Sequence, residues 1–361
     1  MKILYLITKA ERGGAQSVVL ELLREHKKRG DEILLVSGSS GFLLNEAKGM
    51  GFSVFVVTTL GNTFNPLNII KTFFELRKIA KNFSPDIVSI HSSFAGIVGR
   101  FALGKKYKTI FTAHGIAFTS GAPAWRKPIA ITSEFLASRF CHKIIAVSEK
   151  DRQTILKKLL LKEDKVITVH NGVFVPETID FSIKKKNIVF VGRLFPPKTP
   201  EILVEAIKIL KDEMEVAPNL IVIGDGEKRK ILEEKIKQYS LEGCVHMMGE
   251  CGEDMVRKIL SESHMFCLPT LWEGFPMTII EAMASGCVVV ASDVGGIGEA
   301  VDESVGAIIS RGANPKVWAD NIKRILQDEN KLQEMSKSSH EKAKREFNRE
   351  EMVSKVFSLY E

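Results

Sequence analysis

The chain has 361 residues, 45% hydrophobic and 26% charged, a globular balance over a length that exceeds most single cores and leads us to expect two domains. Its formal net charge of +7 is uneven: residues 1–173 hold 26 Lys and Arg against 13 Asp and Glu, whereas residues 174–361 hold 25 against 31. No apolar run approaches the roughly 18 residues that span a bilayer, which excludes an integral membrane protein of the helical kind. The opening MKILYLITKAERGG meets charge at Lys9, too early for the apolar stretch of a signal peptide. Five cysteines, at 141, 244, 251, 267 and 287, form no CxxC pair, so neither a disulfide framework nor a zinc site is expected, and a reduced cytoplasmic setting is. The basic N-terminal half points to an anionic surface. Without a nucleic-acid motif or aromatic-basic interleaving, that surface is expected to be a membrane face.

From the N-terminus, short apolar runs alternate with amphipathic stretches. KILYLIT, EILLVSG, SVFVVTT, DIVSIHS, KTIFTAHG, KIIAVSE and KVITVHNG read as strands, with helical patterns such as SVVLELLREHKKRG and NIIKTFFELRKIAKNF between them. The runs show little polar alternation, as strands buried on both faces should. Residues 174–186, containing VPETIDFSIKKK, have no period and read as a linker between a domain of residues 1–173 and one of residues 187–361. The pattern then restarts with NIVFVGRL, NLIVIGDG, CVHMMGE, HMFCLPT, VVVASD and VGAIIS, and from Pro315 the chain is helical and charged. The expected fold class is α/β: two doubly wound, Rossmann-like parallel sheets facing across a cleft, with ligands at the carboxyl ends of the strands. The last helix is free to pack back on the first domain.

Chemistry-bearing residues fall at those strand ends. After the first strand, Gly13 and Gly14 let the backbone approach a phosphate at a helix start, or simply make a turn. His114 follows a strand in FTAHGIAF and is the foremost histidine candidate, with His91 and His170 as second choices. Arg193 and Lys198, in FVGRLFPPK, put a forked cation and a point charge above a strand end, a pair suited to a diphosphate. Gly224 and Gly226 of IGDGE make either a tight turn or room for a base or sugar. In LWEGFPMTIIEAMASG, Pro276 is expected to open a helix that Gly286 stops. The backbone of Gly274, Phe275, Pro276, Met277 and Thr278 then forms an anion cradle, with Glu273 in the loop before it and Glu281 inside the helix. The chain contains no DxD, so no metal clamp of that type is expected. The charge on a diphosphate would fall to Arg193, Lys198 and backbone N–H groups.

The order GGA, TAHG, NGV, VGRL with its lysine, GDGE, EGFPMTIIEAMASG and SDVGG resembles glycosyltransferase family 4 over nearly the whole chain. The resemblance implies a retaining enzyme of the GT-B fold using a nucleoside-diphosphate sugar. It implies that Glu273 contacts the donor sugar, Glu281 binds the ribose hydroxyls, Arg193 and Lys198 bind the leaving diphosphate, and His114 lies beside the transferring sugar. Three positions depart from the family pattern: Thr199-Pro200 follows Lys198 where Gly is usual, and Val288 and Gly298 stand where Pro is usual. They touch loop geometry rather than charged groups. The expected activity is transfer of a sugar to a hydroxyl acceptor, a lipid-linked saccharide at the inner membrane face, without a metal or other cofactor and without nucleic acid. The stretch IAFTSGAPAWRKP is the expected seat of acceptor choice. The rivals are a GT-B epimerase, which would need no acceptor, and a catalytically silent nucleotide-sugar-binding protein, against which the intact charged set argues. A nicotinamide dehydrogenase fits least, because the glycine fingerprint is wrong.

Overall fold

A computed structural model of the chain describes residues 1–61, 65–116, 118 and 125–361. The apolar runs expected as strands all lie on strands. Those of the first half are β1 (Lys2–Ile7), β2 (Glu32–Ser37), β3 (Ser53–Val56), β4 (Ile87–His91), β5 (Lys108–Ala113), β6 (Lys143–Ala146) and β7 (Val166–Thr168). Those of the second half are β8 (Lys185–Val191), β9 (Asn219–Ile223), β10 (Val245–Gly249), β11 (Ser263–Leu268), β12 (Val288–Ser292) and β13 (Gly306–Ile309). They form two wholly parallel sheets, ordered β3-β2-β1-β4-β5-β6-β7 and β10-β9-β8-β11-β12-β13. Helices connect the strands, as parallel pairing requires. The interior strands β4 and β12 are buried along their whole length, which is why their sequences lack alternation. The edge strand β3 leaves Phe55 and Val56 exposed.

The chain forms two compact units, residues 1–171 with 350–361, and residues 172–349. The segment read as a linker is ordered at its end: Phe181–Ile183 makes one 3₁₀ turn, and Lys185 and Lys186 already belong to β8. Lys184 is buried and donates to the Ser263 carbonyl at 2.7 Å. The side chains of Ile179 and Phe181 lie over Gly286, where an added Cβ would come within 2.3 Å and 3.2 Å of them. An aperiodic sequence here packs as an irregular flap on the second unit. The charged C-terminal stretch supplies three helices, Pro315–Gln327, Glu329–Glu346 and Arg349–Ser358. The last of them belongs with the first unit, where Phe357 stacks on His26 at 4.4 Å between ring centroids. Among the described residues no helix is long and apolar enough to cross a membrane.

Candidate active site

Strand order sets where each sheet can hold a ligand. In the second sheet the order reverses between β8 and β11, and a doubly wound sheet receives ligands at the carboxyl ends of the strands beside such a switch point. The β8 loop carries Arg193 and Lys198, and the β11 loop carries Glu273. Main-chain hydrogen bonds stitch the two loops together: Thr199 N–H donates to the Pro269 carbonyl at 3.0 Å, and Leu271 N–H to Pro197 at 3.1 Å. Lys198 and Glu273 consequently form an ion pair, both largely buried. Thr270 Oγ1 donates to the same carboxylate oxygen of Glu273 at 2.9 Å. Arg193 is exposed and, among the described residues, has no carboxylate partner, leaving its guanidinium open to an anion.

Glycines shape these loops from behind. Gly224, at φ +128°, sits so close to the end of β8 that an added Cβ would lie 2.0 Å from the Gly192 carbonyl oxygen, so the main chain itself requires glycine there. Gly295, at φ +56°, lies equally tight under the Glu273 carbonyl, and Gly296 N–H donates to the Gly274 carbonyl at 2.7 Å. The SDVGG turn after β12 therefore moulds the loop that presents Glu273, a role its sequence did not reveal. Lys228 was also missed. Its ammonium donates to the Lys198 carbonyl at 2.7 Å and to Glu201 at 2.8 Å, bracing the cation loop, and the only sequence hint is its place just after GDGE.

The helix over this site runs Met277–Ala284, with Pro276 as its N-cap at ψ 125°. Helical geometry thus begins one residue later than the proline suggested, because Pro276 itself is extended. The first-turn N–H groups of Met277 and Thr278 precede any intrahelical carbonyl. The Phe275 and Met277 side chains are buried, and Phe275 packs on Phe347 at 5.4 Å, so these positions can offer a ligand only their backbone. Glu281 projects from the second turn, partly buried. Desolvation, reinforced by Glu253 and opposed by Arg257, pushes its carboxyl up to about 7. It is poised to change charge near neutrality.

In the first sheet the reversal lies between β1 and β4. Gly13 and Gly14 follow β1, Gly14 opening the helix Gly14–Arg29. Gly13 is extended and exposed, and an added Cβ would meet only the flexible Gln16 side chain, at 2.8 Å. His91 ends β4 and His114 follows β5, their rings stacked at 5.1 Å with His91 Nδ1 and His114 Nε2 2.9 Å apart. Burial holds both imidazoles neutral, lowering His114 to about 4 and His91 well below its ordinary range. His91, a second choice from sequence, is thus in direct contact with the first choice. His170 lies beyond β7. Of the stretch expected to govern acceptor choice, residues 117 and 119–124 lie outside the described residues.

Two Rossmann-like units, each with glycines and ionisable side chains at the carboxyl ends of its strands, define a protein of the GT-B fold class. The chain belongs to the family described as Glycosyl transferases group 1, whose model matches residues 152–342, and the model of Glycosyltransferase Family 4 matches residues 12–175. It is a glycosyltransferase. It is 28% identical, over 96% of its length and 93% of the relative's, to the Escherichia coli UDP-Gal:alpha-D-GlcNAc-diphosphoundecaprenol alpha-1,3-galactosyltransferase. It is 30% identical to the Escherichia coli O-antigen biosynthesis glycosyltransferase WbnH, over 82% of this chain and 83% of that one. Among solved structures, HepE of Anabaena in complex with UDP and glucose is similar with a TM-score of 0.80 at 19% identity, covering 99% of this chain and 98% of that one. The last likeness concerns the fold.

Proposed function

We propose that this glycosyltransferase moves a sugar from a nucleoside diphosphate to a hydroxyl of a lipid-linked saccharide, with retention at the anomeric carbon and without a metal. The observation that carries the reading is the junction of the β8 and β11 loops. An open Arg193, a Lys198–Glu273 pair and the first-turn amides of Met277 and Thr278 gather at the carboxyl ends of one sheet. Leaving-group charge on a diphosphate would be met there by fixed cations and dipoles. Glu273, held by Lys198 and Thr270, would face the sugar where positive charge develops. Glu281 would accept hydrogen bonds from the ribose. Attack on the face that the diphosphate leaves lets a phosphate oxygen take the acceptor's proton, which gives retention.

The lipid-linked acceptor is supported by the diphosphoundecaprenol substrate in the name of the Escherichia coli relative and by the surface of the first unit. On the helix Pro66–Phe83, Leu67, Ile70 and Phe74 are 67%, 54% and 65% exposed. Exposed Lys71, Arg77, Lys78 and Lys81 share that helix. Trp125 and Ile129, with Arg126 beside them, are exposed as well. Apolar side chains mixed with cations suit the interface of an anionic leaflet, which supports the reading of a peripheral enzyme on the cytoplasmic face.

The test is a thermal-shift screen with nucleoside diphosphates and nucleotide sugars, followed by transfer from the stabilising donor to undecaprenyl-diphosphate saccharides in EDTA. Product with the donor's anomeric configuration is expected. Activity abolished by EDTA and restored by manganese would refute the metal-free mechanism. A rearranged nucleotide sugar released without acceptor would make the chain an epimerase.

A further inference from the structure

The helix Glu329–Glu346 buries one stripe, Leu332, Met335, Ser336, Ser339, His340 and Ala343, and three members of it are polar. Ser336, Ser339 and His340 are 1%, 0% and 3% exposed. Spaced i, i+3, i+4, they share one face, and burying such groups is costly unless each is hydrogen-bonded. All three reach one segment, the carboxyl end of the helix Met277–Ala284 and the turn beyond it. His340 Nδ1 lies 2.8 Å from the Ala284 carbonyl oxygen, Ser339 Oγ donates to the Cys287 carbonyl at 2.7 Å, and Ser336 Oγ donates to the Gly286 carbonyl. A carbonyl only accepts, so His340 Nδ1 carries the hydrogen in this contact. The other ring nitrogen is buried and has no hydrogen-bond partner among the described residues. All of these residues belong to the second unit.

The last four carbonyls of a helix have no intrahelical partner. Here Ser285 N–H serves Glu281 and Ala282, Cys287 N–H serves Ala282, and Gly286 N–H serves Met283, whereas Ala284 is served by His340. Ile279, Ile280, Ala282 and Met283 are buried too. Apolar packing, however, is non-directional and tolerates a small slide or rotation of an eight-residue helix. Hydrogen bonds to three carbonyls at one end have a preferred distance and angle, so they fix the helix both along and about its axis. What they fix matters at the other end, because the same helix carries Glu281 and the first-turn amides of Met277 and Thr278.

We propose that Ser336, Ser339 and His340 are positioning residues for donor binding: they seat the helix Met277–Ala284 so that Glu281 and the Met277 and Thr278 amides meet a nucleoside diphosphate in register. The seating stands on the geometry of the second unit alone. Its consequence for a donor rests on the function proposed above.

The test uses the full chain with UDP, GDP or ADP, whichever stabilises the parent most, and with the matching nucleotide sugar. Nucleotide calorimetry, melting and steady-state kinetics are compared for the parent, His340→Leu, His340→Asn and Ser339→Ala. Leucine fills much of the ring's volume without a donor, whereas the asparagine amide N–H can stand in for Nδ1–H. His340→Leu should weaken nucleotide binding and raise the donor's KM at least about tenfold, the lower end of what removing an outer-shell orienting partner costs at metal sites, with the acceptor's KM unchanged. Ser339→Ala should act in the same direction by less, and it keeps the proposal testable if the leucine variant fails to fold. His340→Asn should restore most of the affinity. A purely structural contact would cost melting temperature and leave the affinity of the folded chain alone. Leucine and alanine variants that melt lower yet bind nucleotide as the parent does would therefore overturn the proposal, as would an asparagine variant no better than the leucine one. A parent that binds no nucleoside diphosphate would remove the function proposed above together with this role, whereas a parent that binds one as its variants do removes the role alone.

Discussion

Glu281→Gln tests whether the carboxylate over the proposed donor site is kept at the expense of the fold. The Glu281 pKa is raised from an ordinary 4.5 to about 7, first by burial and then by Glu253. Between those values the folded chain holds a proton that the unfolded chain has released, so this group's contribution to stability falls as pH rises through the window. The cost is nearly absent below pH 4.5 and complete above about pH 7. At about 1.4 kcal/mol per unit it amounts to roughly 3 kcal/mol. Glutamine keeps the shape without the charge and escapes the cost. The variant should therefore melt several degrees above the parent at pH 8, by roughly 2–4 °C per kcal/mol for a unit of this size, with the gap shrinking toward pH 5. The same substitution should raise the donor's KM by about 1.5–3 kcal/mol of lost hydrogen bonding to a charged acceptor. In the parent, donor affinity should rise as pH passes 7 and the carboxylate forms. Differential scanning at pH 5 and 8, with nucleotide calorimetry at both, reads all three effects. A variant no more stable than the parent at pH 8, or a gap that does not change with pH, would refute the reasoning.

Arg193→Ala and Lys198→Ala should each lower turnover by roughly 10²–10³, the scale of removing one preorganised charge stabiliser, as steady-state assays in EDTA would measure. Glu273→Gln should lower turnover and leave nucleotide affinity nearly intact; a matching fall in affinity by calorimetry would contradict the separation of its role from that of Glu281. The full chain should sediment with anionic vesicles, less so as salt rises. Charge reversal at Lys71, Lys78 and Lys81 together should weaken that sedimentation, and undiminished binding would exclude this helix from the contact.

Strands were legible because each is buried on both faces and announces itself as an apolar run, with β4 and β12 as the plainest cases. The positions of the charged candidates were legible because parallel strands place their following loops at one end, so a cation or histidine just past an apolar run has few other places to go. Contacts that bring sequence-distant groups together were not. Nothing local couples Tyr360 to Ser89, 271 positions earlier. Nor does SDVGG reveal that its glycines press on the Glu273 loop, since the close approach of two backbones leaves no mark on the second of them. The irregular segment before β8 misled for a related reason: its side chains answer to Gly286 and Ser263, not to a helix or strand period.

The union of residues 350–361 with the first unit bears on how the chain is made. Synthesis delivers β1 to β7 first, yet Tyr5 and His26 find Tyr360 and Phe357 only after the whole second unit has been translated. During that interval Tyr5 and His26 are without the Tyr360 and Phe357 rings that cover them, and incompletely covered surface of this kind is where chaperones bind and misassembly begins. Residues 350–361 then cover these rings, so completion of the first unit reports that the ribosome has read through the second.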